Sequence, residues 1–312
     1  MRKSLTKLSV ISASLLALGL SGKVHADAYT FSWGDVTLSV FNLDAGRVVD
    51  FADFSTITAQ NTSSTRADLL SAPGVASNGS LTSADSLMSC QGAGCTMAEN
   101  TFAQVLNGHY ARSDTGATGA LITGLLVAPP ANVDVLSEIR LTNDDLAATN
   151  AEAANNTGFS FTLATGINIR FDLLADTFTQ SYLTADALVP PSIVGSSHTW
   201  ELTLLQGNTT IFNWSPDGQA GGIVGGTELN DDIDLTFGST VSTAGADTGL
   251  ISDFGSAQAS LSLSPGSYTF RLAQFTSANA TVVSAVPEPG SMMLLGIGLL
   301  GMSLMGRRNR KL

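Results

Sequence analysis

The chain has 312 residues, of which 44% are hydrophobic and only 13% charged, with 26 carboxylates against 14 lysines and arginines. The basic residues crowd the two ends. Between residues 27 and 286 there are six arginines (Arg47, Arg66, Arg112, Arg140, Arg170 and Arg271), no lysine and 25 carboxylates, a net charge of −19. Such a body lacks the basic stripe that nucleic acid phosphates demand, is repelled by anionic membrane surfaces, and holds too much Ile, Val, Leu and Phe to read as disordered.

The first 26 residues have three zones: a basic head (Arg2, Lys3, Lys7), an apolar run from Leu8 to Leu20, and a polar stretch ending Val24-His25-Ala26. This is the pattern of a helical secretory signal peptide, with cleavage by signal peptidase expected between Ala26 and Asp27. The apolar run is shorter than the ~20 residues that span a bilayer. Residues 27–285 then form the secreted body.

Tyr29-Thr-Phe31-Ser-Trp33 and Val36-Thr-Leu38-Ser-Val40 alternate apolar and polar residues, which places one face of a strand in a core. Residues 61–86, rich in Asn, Ser, Thr, Gly and Ala, read as a long loop. Cys90 and Cys95 follow. Outside the cytoplasm a disulfide is their default state, and neither a Cys-x-x-Cys spacing nor a nearby histidine set points to metal. Thr96-Met-Ala-Glu99 has the form of a capping box, and Ala98, Phe102, Val105 and Leu106 share a helical face. One short helix is therefore expected near 97–106, ended by Asn107-Gly108 and pinned by the disulfide.

Beyond Pro129-Pro130 the alternation resumes at 138–142, 159–163 and 167–173, with a weaker strand at 178–185. Pro190-Pro191 marks a sub-boundary near residue 190. Further strands are expected at 198–205, 209–214, 233–237, 258–263 and 268–275, the first two joined across Gly207-Asn208 as a hairpin. Leu263-Ser-Pro265-Gly266-Ser-Tyr268 is similar to the tyrosine corner of Greek-key sandwiches. Many short strands separated by Gly, Asn and Pro turns predict an all-β, antiparallel sandwich of Greek-key or jelly-roll type.

Chemistry is sparse. His109 and His198 are the body's two histidines, and no Gly-x-Ser-x-Gly elbow, zinc motif or phosphate loop accompanies them. Asn230-Asp231-Asp232-Ile233-Asp234 offers hard oxygens for calcium from Asp231, Asp232 and Asp234, with Asp217 as a further donor; a solvated loop is the plainer alternative. Trp200 and Trp214 are candidates for an aromatic sugar platform, or for core residues. No other cofactor is indicated.

The last residues carry Val286-Pro287-Glu288-Pro289-Gly290, an apolar run within a helical membrane segment 291–306, and Arg307, Arg308, Arg310 and Lys311. The 14-residue run from Met292 to Met305 reaches about 21 Å as a helix, short for ~30 Å of hydrocarbon, and its basic end belongs in the cytoplasm. Residues 286–312 resemble the PEP-CTERM sorting signal of Gram-negative bacteria, through Pro287-Glu288-Pro289, the apolar segment and the arginine cluster. The resemblance implies cleavage by an exosortase-type membrane protease at or near Pro287-Glu288-Pro289, transient insertion in the inner membrane, and a setting of surface display, exopolysaccharide and biofilm.

The expected protein is exported and non-catalytic, tethered to the inner membrane before processing and found at the cell surface or in the extracellular matrix after it, with exopolysaccharide as a partner. Two alternatives stand beside this: a carbohydrate-binding module assisted by calcium, and a secreted hydrolase with an unrecognised site.

Overall fold

The computed structural model describes residues 27–69, 75–80, 86–93, 95–104, 108–118, 131–142, 147–184 and 192–282. The expected signal peptide, the C-terminal tail with its expected membrane segment 291–306, and Pro190-Pro191 lie outside them. Among the described residues no helix is long and apolar enough to cross a membrane.

Among the described residues, sixteen strands build two antiparallel sheets. The first runs in the order β13 (Thr227–Asp231), β15 (Ile251–Leu263), β9 (Ile167–Leu183), β1 (Ala28–Asn42), β7 (Ala131–Leu141), β6 (Tyr110–Thr118) and β5 (Ser86–Gly92), with β2 (Arg47–Val48) on β1. The second runs β12 (Ile223–Val224), β11 (Thr209–Trp214), β10 (Ile193–Gln206), β16 (Gly266–Val282), β8 (Ala147–Leu163), β3 (Thr56–Asp68) and β4 (Val75–Ser80), with β14 (Phe237–Val241) on β10. Side chains of both sheets share one core, as in a sandwich. Strands from either side of residue 190 enter both sheets, so that position does not divide one sheet system from another.

The interior is tiered, and the same order recurs along the long strands. Inward positions of β10 read Leu204, Leu202, Trp200, His198, Ser196, Val194; those of β16 read Phe270, Leu272, Gln274, Thr276, Ala278, Ala280, Val282. One end of the sandwich is a block of large apolar side chains. The other is a smaller cluster built on Ala28, Ile139, Leu183, Val194 and Val282. Between them lies a buried polar belt.

Buried hydroxyls cost stability unless they are paired, and the belt pairs them across the two sheets. The Thr30, Ser181, Ser239 and Ser196 hydroxyls form a chain with links of 3.0, 2.7 and 2.9 Å. The Ser32 hydroxyl donates to the Ser197 carbonyl at 2.9 Å. Gln274 donates to the carbonyl of Gly34 at 3.0 Å, and the imidazole Nδ1 of His198 sits 3.0 Å from the Leu235 carbonyl. A Cβ on Gly34 would lie 2.3 Å from the His198 ring, so glycine is what lets the sheets close at that point.

Several expectations are met. Cys90 and Cys95 form a disulfide. Gly207, with φ +61, opens the two-residue turn between β10 and β11. The Tyr268 hydroxyl donates back to the Ser264 carbonyl at 2.7 Å, as a tyrosine corner requires.

Others are corrected. Residues 61–68 are not loop but the continuation of β3, and 75–80 form β4. The strand expected at 233–237 begins only at Phe237; Ile233 and Leu235 are buried in irregular chain. The helix near 97–106 is absent from described residues 97–104, which run as turns and extended chain. The one helical turn among the described residues is a 3-10 turn at Phe51–Asp53 capped by Asp50.

The lost helix has a physical cause. Segment 95–104 lies across the outer face of the first sheet, and its backbone is spent there. The Arg112 guanidinium donates to the carbonyls of Thr101 (2.7 Å) and Ala103 (3.0 Å), and the Thr101 amide donates to Asp114. Asn100 takes a left-handed conformation, φ +62. Beneath the segment Arg112 pairs with Glu138 at 2.8 Å, both fully buried. The Tyr29 hydroxyl donates to the same carboxylate at 2.7 Å, and Phe102 packs with Tyr29, Phe31 and Leu136.

The disulfide fixes the start of this cover. Replacing both cysteines by serine is expected to lower global stability by about 2 kcal/mol, the scale for so short a loop. Amide exchange at Thr101 should speed up well before that of β1; unchanged exchange at Thr101 would show that the cover holds without the disulfide.

Candidate functional site

The two tryptophans meet, but inside. Trp200 on β10 and Trp214 on β11 are 1% and 0% exposed, edge-to-face at 5.7 Å within the large apolar core, and the Trp214 indole donates to Glu228. A sugar ring stacks on an exposed aromatic face, so this pair is not a platform. Of the two readings the sequence offered for this pair, the core is the one in which the fold places them.

The carboxylates of the acidic loop are engaged in hydrogen bonds within the fold. Asp231 accepts the Asp217 amide at 3.0 Å, Asp232 accepts from the Asn230 side chain at 2.8 Å, and Asp234 accepts the Thr236 amide at 2.8 Å. Burial raises the carboxyls of Asp231 and Asp234 above the ordinary value. Among the described residues no group of three or more His, Cys, Asp or Glu side chains is arranged to hold a metal ion.

The histidines are far apart in role. His198 is wholly buried, and burial lowers its pKa from 6.5 to about 4, against a bond to the Leu235 carbonyl that raises it. With Nδ1 donating to that carbonyl, Nε2 accepts from Gln274 at 3.3 Å. His109 accepts the Thr142 amide at 3.4 Å through Nδ1.

Two features escaped sequence reading. On the outer face of the first sheet Asp35 stands directly opposite Asp134 on β7 and Asp176 on β9. Like charges so placed repel. Burial, then the charge of Asp35, pushes Asp134 up to about 7; the same two causes raise Asp176. Burial likewise raises Asp35, against a hydrogen bond from Asn132, and lifts Asp114 to about 6 against Arg112 and amides of the covering segment. No sequence spacing signals this row, because register alone brings the three together.

The second feature lies on the outer face of the second sheet. A shallow concavity of about 420 Å3 crosses β3, β8, β16, β10 and β11, lined by Asn156, Ser160, Thr203, Thr269, Glu201 and Arg271 among others. Arg271 is exposed and faces Gly158 on one side and Thr203 on the other. Arg47, Arg66, Arg112 and Arg170 are each in ion pairs; Arg271 makes none among the described residues.

β16, the central strand of that sheet, leads at Val282 toward the C-terminal tail. Residues 285–311 match the family model of the PEP-CTERM protein-sorting motif. The PEP-CTERM match contains Pro287-Glu288-Pro289, the apolar run and the arginine cluster, and marks the chain as exported and processed by exosortase. Neither curated proteins nor solved structures give a match to the chain. The PEP-CTERM tail therefore assigns an address, while the body must be read from its own geometry.

Proposed function

We propose that the chain is a non-catalytic protein displayed at the cell surface or in the extracellular matrix, released from the inner membrane when an exosortase cuts its tail. The PEP-CTERM match at 285–311 carries this reading. It is supported by a body whose His198 is held in the interior and whose loop carboxylates are engaged in hydrogen bonds within the fold. In cells lacking the sorting protease, the full-length chain should accumulate with the inner membrane, and the shortened chain should vanish from the surface and medium. An unchanged distribution would end the proposal.

A second reading, carbohydrate binding, is favoured by one observation. The concavity around Arg271 offers hydroxyl and amide groups from five strands beside an arginine that makes no ion pair among the described residues, the mixture of donors and acceptors that fixes polyhydroxylated ligands. If exopolysaccharide is bound, Arg271→Ala should weaken binding at least tenfold, with the melting temperature unchanged. Trp200→Phe should leave affinity intact; loss of binding only in the tryptophan variant would contradict this placement.

A further inference from the structure

Both ends of the described chain leave the sandwich from one rim. β1 starts at Ala28, opposite Leu141 and Leu183, and β16 finishes at Val282, opposite Ala147. Ala28, Leu183 and Val282 belong to the same small apolar cluster. Asp27 is already held there: its amide donates to the Thr184 hydroxyl at 2.8 Å, and its carbonyl accepts the Thr184 amide at 2.9 Å. No slack separates the fold from the first residue after the expected signal cleavage.

At the other end only residues 283–286 stand between Val282 and Pro287, a connection that spans at most about 18 Å. β16 itself has 17 residues, so its far end lies roughly 55 Å from the exit rim. That far rim carries the connections from β8 to β9, β10 to β11 and β15 to β16, and the turn after β1. The body's charge of −19 opposes laying either sheet face on anionic headgroups. The first sheet would press its row of Asp35, Asp134 and Asp176 against them.

On the reading that the tail tethers the chain, we propose that the sandwich stands end-on to the membrane. The Ala28–Val282 rim faces the lipid. The hairpin tip at Gly207-Asn208 and the turn at Asp44-Ala45-Gly46 are its points farthest from the lipid, and while the tether lasts they are the first surfaces offered to partners on the periplasmic side.

Single labelling cysteines test this in the full chain, tail intact, held in vesicles of phosphatidylcholine and phosphatidylglycerol. Ser242→Cys marks the near rim, one residue past Val241, which pairs with Val194; Asn208→Cys and Ala45→Cys mark the far rim, and all three positions are exposed. Energy transfer from the dye to headgroup acceptors should be several-fold stronger from position 242 than from 208 or 45. Equal transfer from all three, or stronger transfer from 208, would overturn the orientation. Protein that fails to float with the vesicles would overturn the tether reading itself, and the orientation with it.

Discussion

Arg112→Met is expected to cost about 3–5 kcal/mol of unfolding free energy, the scale for stranding a buried charge. Arg112 and Glu138 are both fully buried, 2.8 Å apart. Removing the guanidinium leaves the Glu138 carboxylate uncompensated and frees the carbonyls of Thr101 and Ala103, which hold segment 95–104 on the sheet. Arg112→Met combined with Glu138→Gln should recover most of the loss. The amide carries no charge and still offers an oxygen to the Tyr29 hydroxyl, which now donates to Glu138 at 2.7 Å. Urea titration of the two variants measures the difference. A single-variant loss under about 1 kcal/mol would mean that the pair is hydrated rather than buried.

The second large effect is in pH. His198 has its pKa lowered from 6.5 to about 4 by burial, so the folded protein keeps it neutral where the unfolded chain protonates it. Its contribution to stability is fully present above pH 6.5, falls as the pH drops below that value, and is exhausted near pH 4. The total is about 3 kcal/mol.

The carboxyls have the opposite sign. Asp134 is raised to about 7 and Asp114 to about 6, so the folded state takes up their protons first, and stability from these groups rises as pH falls from 7 toward 4. In the wild type the two trends offset each other. His198→Gln separates them: relative to the wild type, the variant should gain about 3 kcal/mol between pH 7 and pH 4. Parallel stability curves would show that His198 titrates normally and that the belt is open to water.

The same belt explains which parts of the fold were legible in the sequence. At the large-core end, β9 alternates Ile167, Ile169, Phe171 and Leu173 inward against polar residues outward, and period two is plain. Farther along the same strand the inward residues are Thr177, Thr179 and Ser181, while the aromatics Phe178 and Tyr182 lie on the outer face, so the apolar period changes face and the strand signal weakens. β3 suffers most, with Ser63, Thr65 and Ala67 inward, and so reads as loop. β6, with Ala111, Ser113 and Thr115 inward, gives no strand signal for the same reason.

The local signals that held are those whose partners are close in sequence. The tyrosine corner spans four residues from Tyr268 to Ser264, and the disulfide spans five from Cys90 to Cys95. Thr96-Met-Ala-Glu99 was misleading because Arg112 and Asp114, from another strand, claim the backbone groups that a helix would use. The carboxylate row and the Arg271 concavity depend on the pairing of distant strands, β1 with β7 and β9 and β8 with β16 and β10 by way of β16. The tail, in contrast, is a linear signal read by a protease, and its three parts are visible in order without any fold.

The intact mass of the surface or released protein tests the central claim most directly. Display after exosortase processing predicts a chain that begins at Asp27 and ends at or near Pro287-Glu288-Pro289, without the apolar run from Met292 to Met305. A mature chain that still carries Arg307 to Leu312 would contradict it.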